Sequence, residues 1–273
     1  MLRLALPVGI LALAAAAGIG LQLPEAPDLP ALVTVPGGSH AYRPSGEFRI
    51  GTRRVDAPLE RREAAAFQIM QYQVTRQDYA RCVADGDCPQ AEATGEGGAA
   101  SDADRNGDLP RTGVNWSDAT AYAAWLSRRT GGSWRLPTDE EWLRAAAERG
   151  FDGALGAEGL DPSERWLASY RAEVERRGEA DLVPHPRGHF GTNSLGLADA
   201  AGNVWEWTDS CDEKNQLSED GRILATERFC GVRVAQGKHR AFIVDFVRDA
   251  RSGGCAAGVP PDFLGFRLVR DAG

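Results

Sequence analysis

The chain has 273 residues, 42% hydrophobic and 26% charged, ordinary proportions for a folded soluble protein of one large domain or two small ones. Its formal net charge of −8 argues against a nucleic-acid ligand, which needs clustered basic charge, and is compatible with cations. Thirty-two Gly and fifteen Pro beside few periodic stretches predict abundant turn and loop, with modest helix and strand.

The N-terminus reads as an export signal over residues 1–21. Met1-Leu2-Arg3 is a short positive start, Leu4 to Leu21 is apolar, and Ala15-Ala16-Ala17 offers small residues for cleavage. The apolar run also approaches the ~18 residues of a spanning helix, so an uncleaved inner-membrane anchor is the other reading and the only membrane contact expected. Either way, Gln22 onward is expected outside the cytoplasm, in a periplasmic or secreted protein. Residues 22–31 are a Pro-rich acidic linker, and residues 32–271 form the folded domain.

Leu32 to Val35 is β-prone and ends at the turn signal Pro36-Gly37-Gly38. Phe67 to Met70 is a second strand, followed by a helix start at Thr75 with Asp78 three residues on. Cys82 and Cys88, with Asp85-Gly86-Asp87 between them, predict a small disulfide staple at that helix's end. Residues 91–108 are Gly, Ala and Asp rich without periodicity and read as a surface loop. Ser117 precedes a helix with Ala121, Tyr122, Trp125 and Leu126 on one face, stopped by Gly131-Gly132. Thr138 and Glu141 form a capping box ahead of Trp142, Ala145 and Ala146. Residues 150–161 and 171–186 are irregular excursions. From Gly188 onward the pattern is short strands between Gly-rich turns, ending in Gly265 to Val269 with Phe266 and Leu268 inward.

Five cysteines fit an oxidising compartment. Beyond Cys82 and Cys88, either Cys211–Cys230 or Cys230–Cys255 can form, leaving one thiol that is either reactive or buried and inert.

Four segments then stand in a telling order: Pro36-Gly37-Gly38 after a strand, Val74-Thr75 before Tyr79, Arg135-Leu136-Pro137-Thr138-Asp139-Glu140-Glu141-Trp142, and Gly202-Asn203-Val204-Trp205-Glu206-Trp207. Gly265-Phe266-Arg267 closes the set. From about Thr34 to Val269 the chain resembles the formylglycine-generating-enzyme (sulfatase-modifying factor) domain. The resemblance implies an α+β, C-type-lectin-like fold with a large irregular fraction, braced by calcium.

Asp199, Asn203 and Glu206, beside Gly196 and Gly202, offer hard oxygens on a chain able to curl. The alternative is a metal-free turn in which Asp199 and Asn203 bond the backbone. The resemblance implies structural calcium held by the side chains of Asp199 and Glu206 and the carbonyls of Gly202 and Val204. The family's second calcium site does not carry over, because Ser169 stands where Asn is usual.

The family's oxidase holds copper on two cysteines five positions apart, and soft thiolates suit Cu(I). Matched through Ala250-Arg251-Ser252, those positions fall on Ile243 and Arg248, so copper is not expected and neither is formylglycine generation. Charged residues occupy that stretch instead. His239, Asp245, Arg248 and Arg251 are the candidates for binding a polar ligand or for acid–base chemistry, against a bland reading of salt bridges on a strand. His185 and His189 suggest a transition metal only weakly, since no third ligand is nearby. Trp134, Trp142, Trp205 and Trp207 read as core braces.

The C-terminal stretch, Cys230 to Cys255, resembles the NirV-like branch, which accompanies copper nitrite reductase. The leading expectation is thus a periplasmic accessory protein for a partner such as that reductase. The alternatives are an oxidative maturation enzyme acting on a small molecule or peptide, and a non-catalytic binding module.

Overall fold

The computed structural model describes residues 29–91, 106–151, 183–248 and 263–271, with the backbone of 254–255 and a few helical positions between 164 and 175. The export segment, most of the linker, most of the 91–108 loop, Ser169 and Arg251 lie outside the described residues. No described helix is long and apolar enough to cross a membrane.

Six strands open the domain: β1 (Leu32–Val35), β2 (Gly38–Tyr42), β3 (Glu47–Ile50), β4 (Arg53–Val55), β5 (Glu60–Ala64) and β6 (Phe67–Met70). Helices α1 (Arg76–Ala84) and α2 (Trp116–Thr130) follow, then β7 (Trp134–Arg135) and α3 (Asp139–Ala146). The C-terminal part holds β8 (Trp205–Leu217), β9 (Ile223–Gln236), β10 (Arg240–Val244), β11 (Gly254–Cys255), β12 (Leu264–Gly265) and β13 (Val269–Arg270). This is the expected α+β architecture.

Helices α1, α2 and α3 each begin with reciprocal caps. Thr75 pairs with Asp78, Asn115 with Asp118, and Thr138 with Glu141, each side chain accepting the other residue's backbone N–H. The N-cap of α2 therefore lies at Asn115, two residues before the Ser117 read from the sequence, because Asn115 and Asp118 close a capping box that the hydroxyl does not. Gly131 ends α2 at φ 67°, a left-handed position that suits glycine. Arg135 grips Glu141 with two 2.7 Å bonds, which ties β7 to the first turn of α3.

One sheet runs β1-β6-β13-β7 and a larger one β11-β10-β9-β8-β3-β4, with β12 alongside β8; β2 and β5 form a separate ribbon. The larger sheet corrects one expectation: β8 and β9 are 13 and 14 residues long, not short strands. Register shifts at Cys211 and near Leu217 break their alternation, which hid their length in the sequence. The last strand is also split. Leu264–Gly265 pairs with β8 in one sheet and Val269–Arg270 with β6 in the other. Phe266 and Leu268 between them are fully buried, as expected, and their chain stitches the two sheets together.

Trp142 and Trp207 are fully buried, and Trp134 nearly so. Each indole N–H has a partner: Glu206 for Trp142, the Val114 carbonyl for Trp207, Thr130 for Trp134. Large apolar area with a satisfied polar tip is what a core poor in regular structure needs. Cys82–Cys88 forms the expected staple, and Cys211–Cys230 resolves the pairing left open by the sequence. Cys255 is the fifth cysteine, outside both bonds.

Candidate functional site

The loop expected to hold calcium is built differently. Asp199 and Ala201 take left-handed φ values of 59° and 57°, which curls the chain as the glycines suggested. Gly202 backs onto Phe190, where an added Cβ would approach the ring carbons to 2.8 Å. The fully buried Asp199 carboxylate accepts N–H bonds from Gly188 at 2.6 Å and Phe190 at 2.9 Å. Asn203 exchanges two bonds with the backbone of His185, at 3.0 and 2.9 Å. The loop is thus pinned to residues 185–190.

Glu206 is taken by another cation. Arg267 Nε donates to its Oε2 at 2.6 Å and Nη2 to its Oε1 at 2.7 Å, both residues being fully buried. Trp142 Nε1 donates to Oε2 at 2.9 Å and Gln73 Nε2 to Oε1 at 2.8 Å. A carboxylate offers about four acceptor positions, and here four N–H donors take them. The Val204 carbonyl accepts weakly from Gln73 at 3.5 Å. In this arrangement N–H donors face the oxygens of Asp199, Glu206 and, more distantly, Val204, and Arg267 brings positive charge to Glu206, an environment that does not suit calcium at those three residues. Arg267 also donates to the carbonyls of Gln71 and Ala198, so one side chain binds three other segments.

Ile243 and Arg248, the positions matched to a copper-binding cysteine pair, offer no thiolate. Ile243 is fully buried on β10, between Arg233 of β9 and Gly254 of β11. Arg248 grips Asp118 through two bonds of 2.7 and 3.1 Å, and Asp118 also closes the capping box of α2 with Asn115. The residues present do not fit copper thiolate chemistry.

The three described cleft candidates, His239, Asp245 and Arg248, do not converge. Asp245 and Arg248 lie against the start of α2, where the Asp245 carbonyl accepts the Trp116 N–H. His239 precedes the other end of β10, nearly buried, with Nδ1 at 2.8 Å from the Arg240 carbonyl and its ring edge-on to Trp205. Arg251 lies outside the described residues. His185 and His189 stack face to face at 4.0 Å, which does not aim two ring nitrogens at one ion. Among the described residues no three His, Cys, Asp or Glu side chains gather as a metal site.

A concavity of about 410 Å³ lies elsewhere, lined by Tyr42, Arg62, Thr138, Glu140, Ser210 and Cys211, among others. Behind it Asp139 is fully buried and surrounded by donors. Tyr42 OH donates at 2.7 Å, Arg240 at 2.7 and 3.1 Å, and Gln236 Nε2 closes the ring. Burial, then the Asp139 charge, pushes the Tyr42 hydroxyl far above its ordinary range, so it remains a donor. The carboxylates lining the cleft each face an arginine: Glu140 with Arg62 at 2.6 Å, Glu213 with Arg228 at 2.9 Å and Asp209 with Arg233 at 3.5 Å. Such a surface suits a polar ligand of mixed charge. It does not present a proton-transfer residue held apart from a counter-charge.

The sequence reading missed this cleft. Asp139 was visible only as a residue following a helix cap, while Arg240 lies 101 positions away and Tyr42 97. The buried charge in Arg240-Ala241-Phe242-Ile243-Val244 was the available signal.

Comparison with known proteins gives a consistent result. The family described as "Sulfatase-modifying factor enzyme 1-like domain" matches residues 21–272. The mouse (Mus musculus) protein "Inactive C-alpha-formylglycine-generating enzyme 2" is 32% identical over 174 residues, covering 61% of this chain and 50% of the relative. "Formylglycine-generating enzyme" of Streptomyces coelicolor is 37% identical over 116 residues, covering 40% of this chain and 35% of the relative. The chain thus spans half or less of the length of these relatives. The solved structure of PvdO from Pseudomonas aeruginosa superposes with a TM-score of 0.53 at 22% identity, covering 89% of this chain and 95% of that one, a likeness of fold.

Proposed function

This chain belongs to the sulfatase-modifying factor enzyme 1-like family, and from that premise we propose that it is a member without formylglycine-generating activity, serving a partner outside the cytoplasm. The observation that carries this reading is the pair Ile243 and Arg248. One is sealed in the core and the other is clasped to Asp118, where the oxidase needs two thiolates. Two disulfides support an oxidising compartment, the periplasm for a bacterial chain. A cleft whose carboxylates are paired with arginines favours binding over turnover.

The partner class we propose is a periplasmic reductase such as copper nitrite reductase, on the likeness of the Cys230 to Cys255 stretch to the NirV-like branch. The test is to express that reductase with and without this chain and to compare the active fraction and copper content. A several-fold higher active fraction with the chain is expected. An unchanged fraction would remove the partner, and oxygen consumption by the chain with a small-molecule substrate would favour an oxidative enzyme instead.

A further inference from the structure

The Cys211–Cys230 disulfide sits in a setting unlike that of a structural bond. Cys82 and Cys88 are buried among core residues, whereas Cys230 is exposed on β9 and Cys211 is half-buried and lines the 410 Å³ cleft. Cys211 lies in an irregular stretch of β8, with register shifts on both sides. Its register partner on β9 is Arg233, while Cys230 lies three residues earlier. The bulge therefore brings both the bonded sulfur and a guanidinium to Cys211.

Arg233 Nη1 approaches Cys211 Sγ to 3.3 Å as an N–H donor. The guanidinium is held in place. The same Nη1 donates to the Asp209 carbonyl at 2.9 Å, and the plane lies over the Trp116 ring at 3.8 Å. Its side chain retains only 11% exposure, so its charge acts through little intervening water. The two sulfurs are thus unequal: one is open to attack, the other backed by a fixed cation.

We propose that Cys211–Cys230 is an exchange-competent disulfide, attacked at Cys230 by a dithiol and releasing Cys211 as a thiolate held by Arg233. The incoming thiolate's lone pair forms a new S–S bond to Cys230. The electron pair of the old bond leaves with Cys211 Sγ, which accepts the Arg233 N–H. The second thiol of the reductant, deprotonated, then attacks the mixed disulfide and frees Cys230. Overall the dithiol is oxidised and the protein disulfide reduced by two electrons. Thiol–disulfide exchange is faster when the leaving thiol has a low pKa, and a neighbouring guanidinium lowers it. The proposal rests on the disulfide and Arg233, not on the partner reading above.

The test uses the full chain with glutathione as first probe, quenched with N-ethylmaleimide, and peptide mass mapping of each cysteine over time. Cys211–Cys230 is expected to open at least about tenfold faster than Cys82–Cys88, with glutathione on Cys230 and maleimide on Cys211. Dithiothreitol should then leave both sulfurs free for maleimide. Arg233→Gln should slow opening several-fold and Arg233→Lys less. Equal opening of the two disulfides, or glutathione mainly on Cys211, would overturn the proposal. The position of the adduct is read on the unmutated chain, so it stands as a test even if an Arg233 variant folds poorly.

Discussion

Arg267→Met is expected to destabilise the domain by about 3–5 kcal/mol, the range for removing one partner of a buried ion pair. Both members of the Glu206–Arg267 pair are at 0% side-chain exposure, so water cannot replace the lost charge. The carbonyls of Gln71 and Ala198 would lose their donor as well. For a domain of this size that corresponds to a fall in Tm of roughly 6–20 °C, readable by thermal or urea unfolding. Glu206→Leu combined with Arg267→Met should cost less than the two single changes added together, because no unpaired charge remains. A drop within about 0.5 kcal/mol for the single variant, the usual size of a surface substitution, would mean that the pair does not brace the fold. Calcium is the second readout. Arg267 already supplies the cation, so a chelator should leave Tm unchanged. A clear rise in Tm with added calcium would mean that the ion displaces N–H donors from Asp199 or Glu206.

The second large effect concerns Asp139. Asp139→Asn keeps the shape but removes the charge that Arg240 and Tyr42 both use. Arg240 retains 10% side-chain exposure against 0% for Asp139, so the expected loss lies a little below that of the fully buried pair, at about 2–4 kcal/mol. The variant also has a spectroscopic signature. Burial first, and the Asp139 charge second, raise the Tyr42 pKa. With the charge gone, Tyr42 should ionise at lower pH than in the parent, while burial keeps it above the ordinary value of about 10. Because its folded pKa is raised, the stability linked to Tyr42 is present below about pH 10 and is lost as pH rises through the folded pKa. The variant should therefore lose less at alkaline pH than the parent. Absorbance at 295 nm during an alkaline titration follows the ionisation, and an unchanged profile would show that Asp139 does not act on Tyr42.

Local signals were the ones legible in the sequence. Thr75 with Asp78 and Thr138 with Glu141 sit three residues apart, and each pair caps its helix as read. Cys82 and Cys88 are six residues apart around a turn, and they pair. Phe266 and Leu268 face inward as their alternation implies. Arg267 between them is also fully buried, because a buried partner 61 residues away compensates the charge. Nothing in a single sequence encodes that distance. The sequence offers Glu206 as an acid beside a flexible loop, without saying that a cation it pairs with is Arg267. The long β8–β9 hairpin was hidden by its bulges, and Cys211–Cys230 could be chosen over Cys230–Cys255 only once those strands were paired. Of the cleft candidates, Arg248 proved to be a clasp for the cap of α2, and His239 stands apart from Asp245 and Arg248.

Sealed Ile243 and clasped Arg248 carry the proposal that this chain lacks the oxidase activity. The direct measurement is to incubate the purified chain, supplied with Cu(I) and oxygen, with a cysteine-containing sulfatase peptide and to look for the aldehyde by hydrazine capture and mass spectrometry. The peptide should be recovered with its cysteine intact under conditions in which a formylglycine-generating enzyme converts it. Catalytic formation of the aldehyde would contradict the account, because oxidation would then be proceeding without thiolates at these two positions.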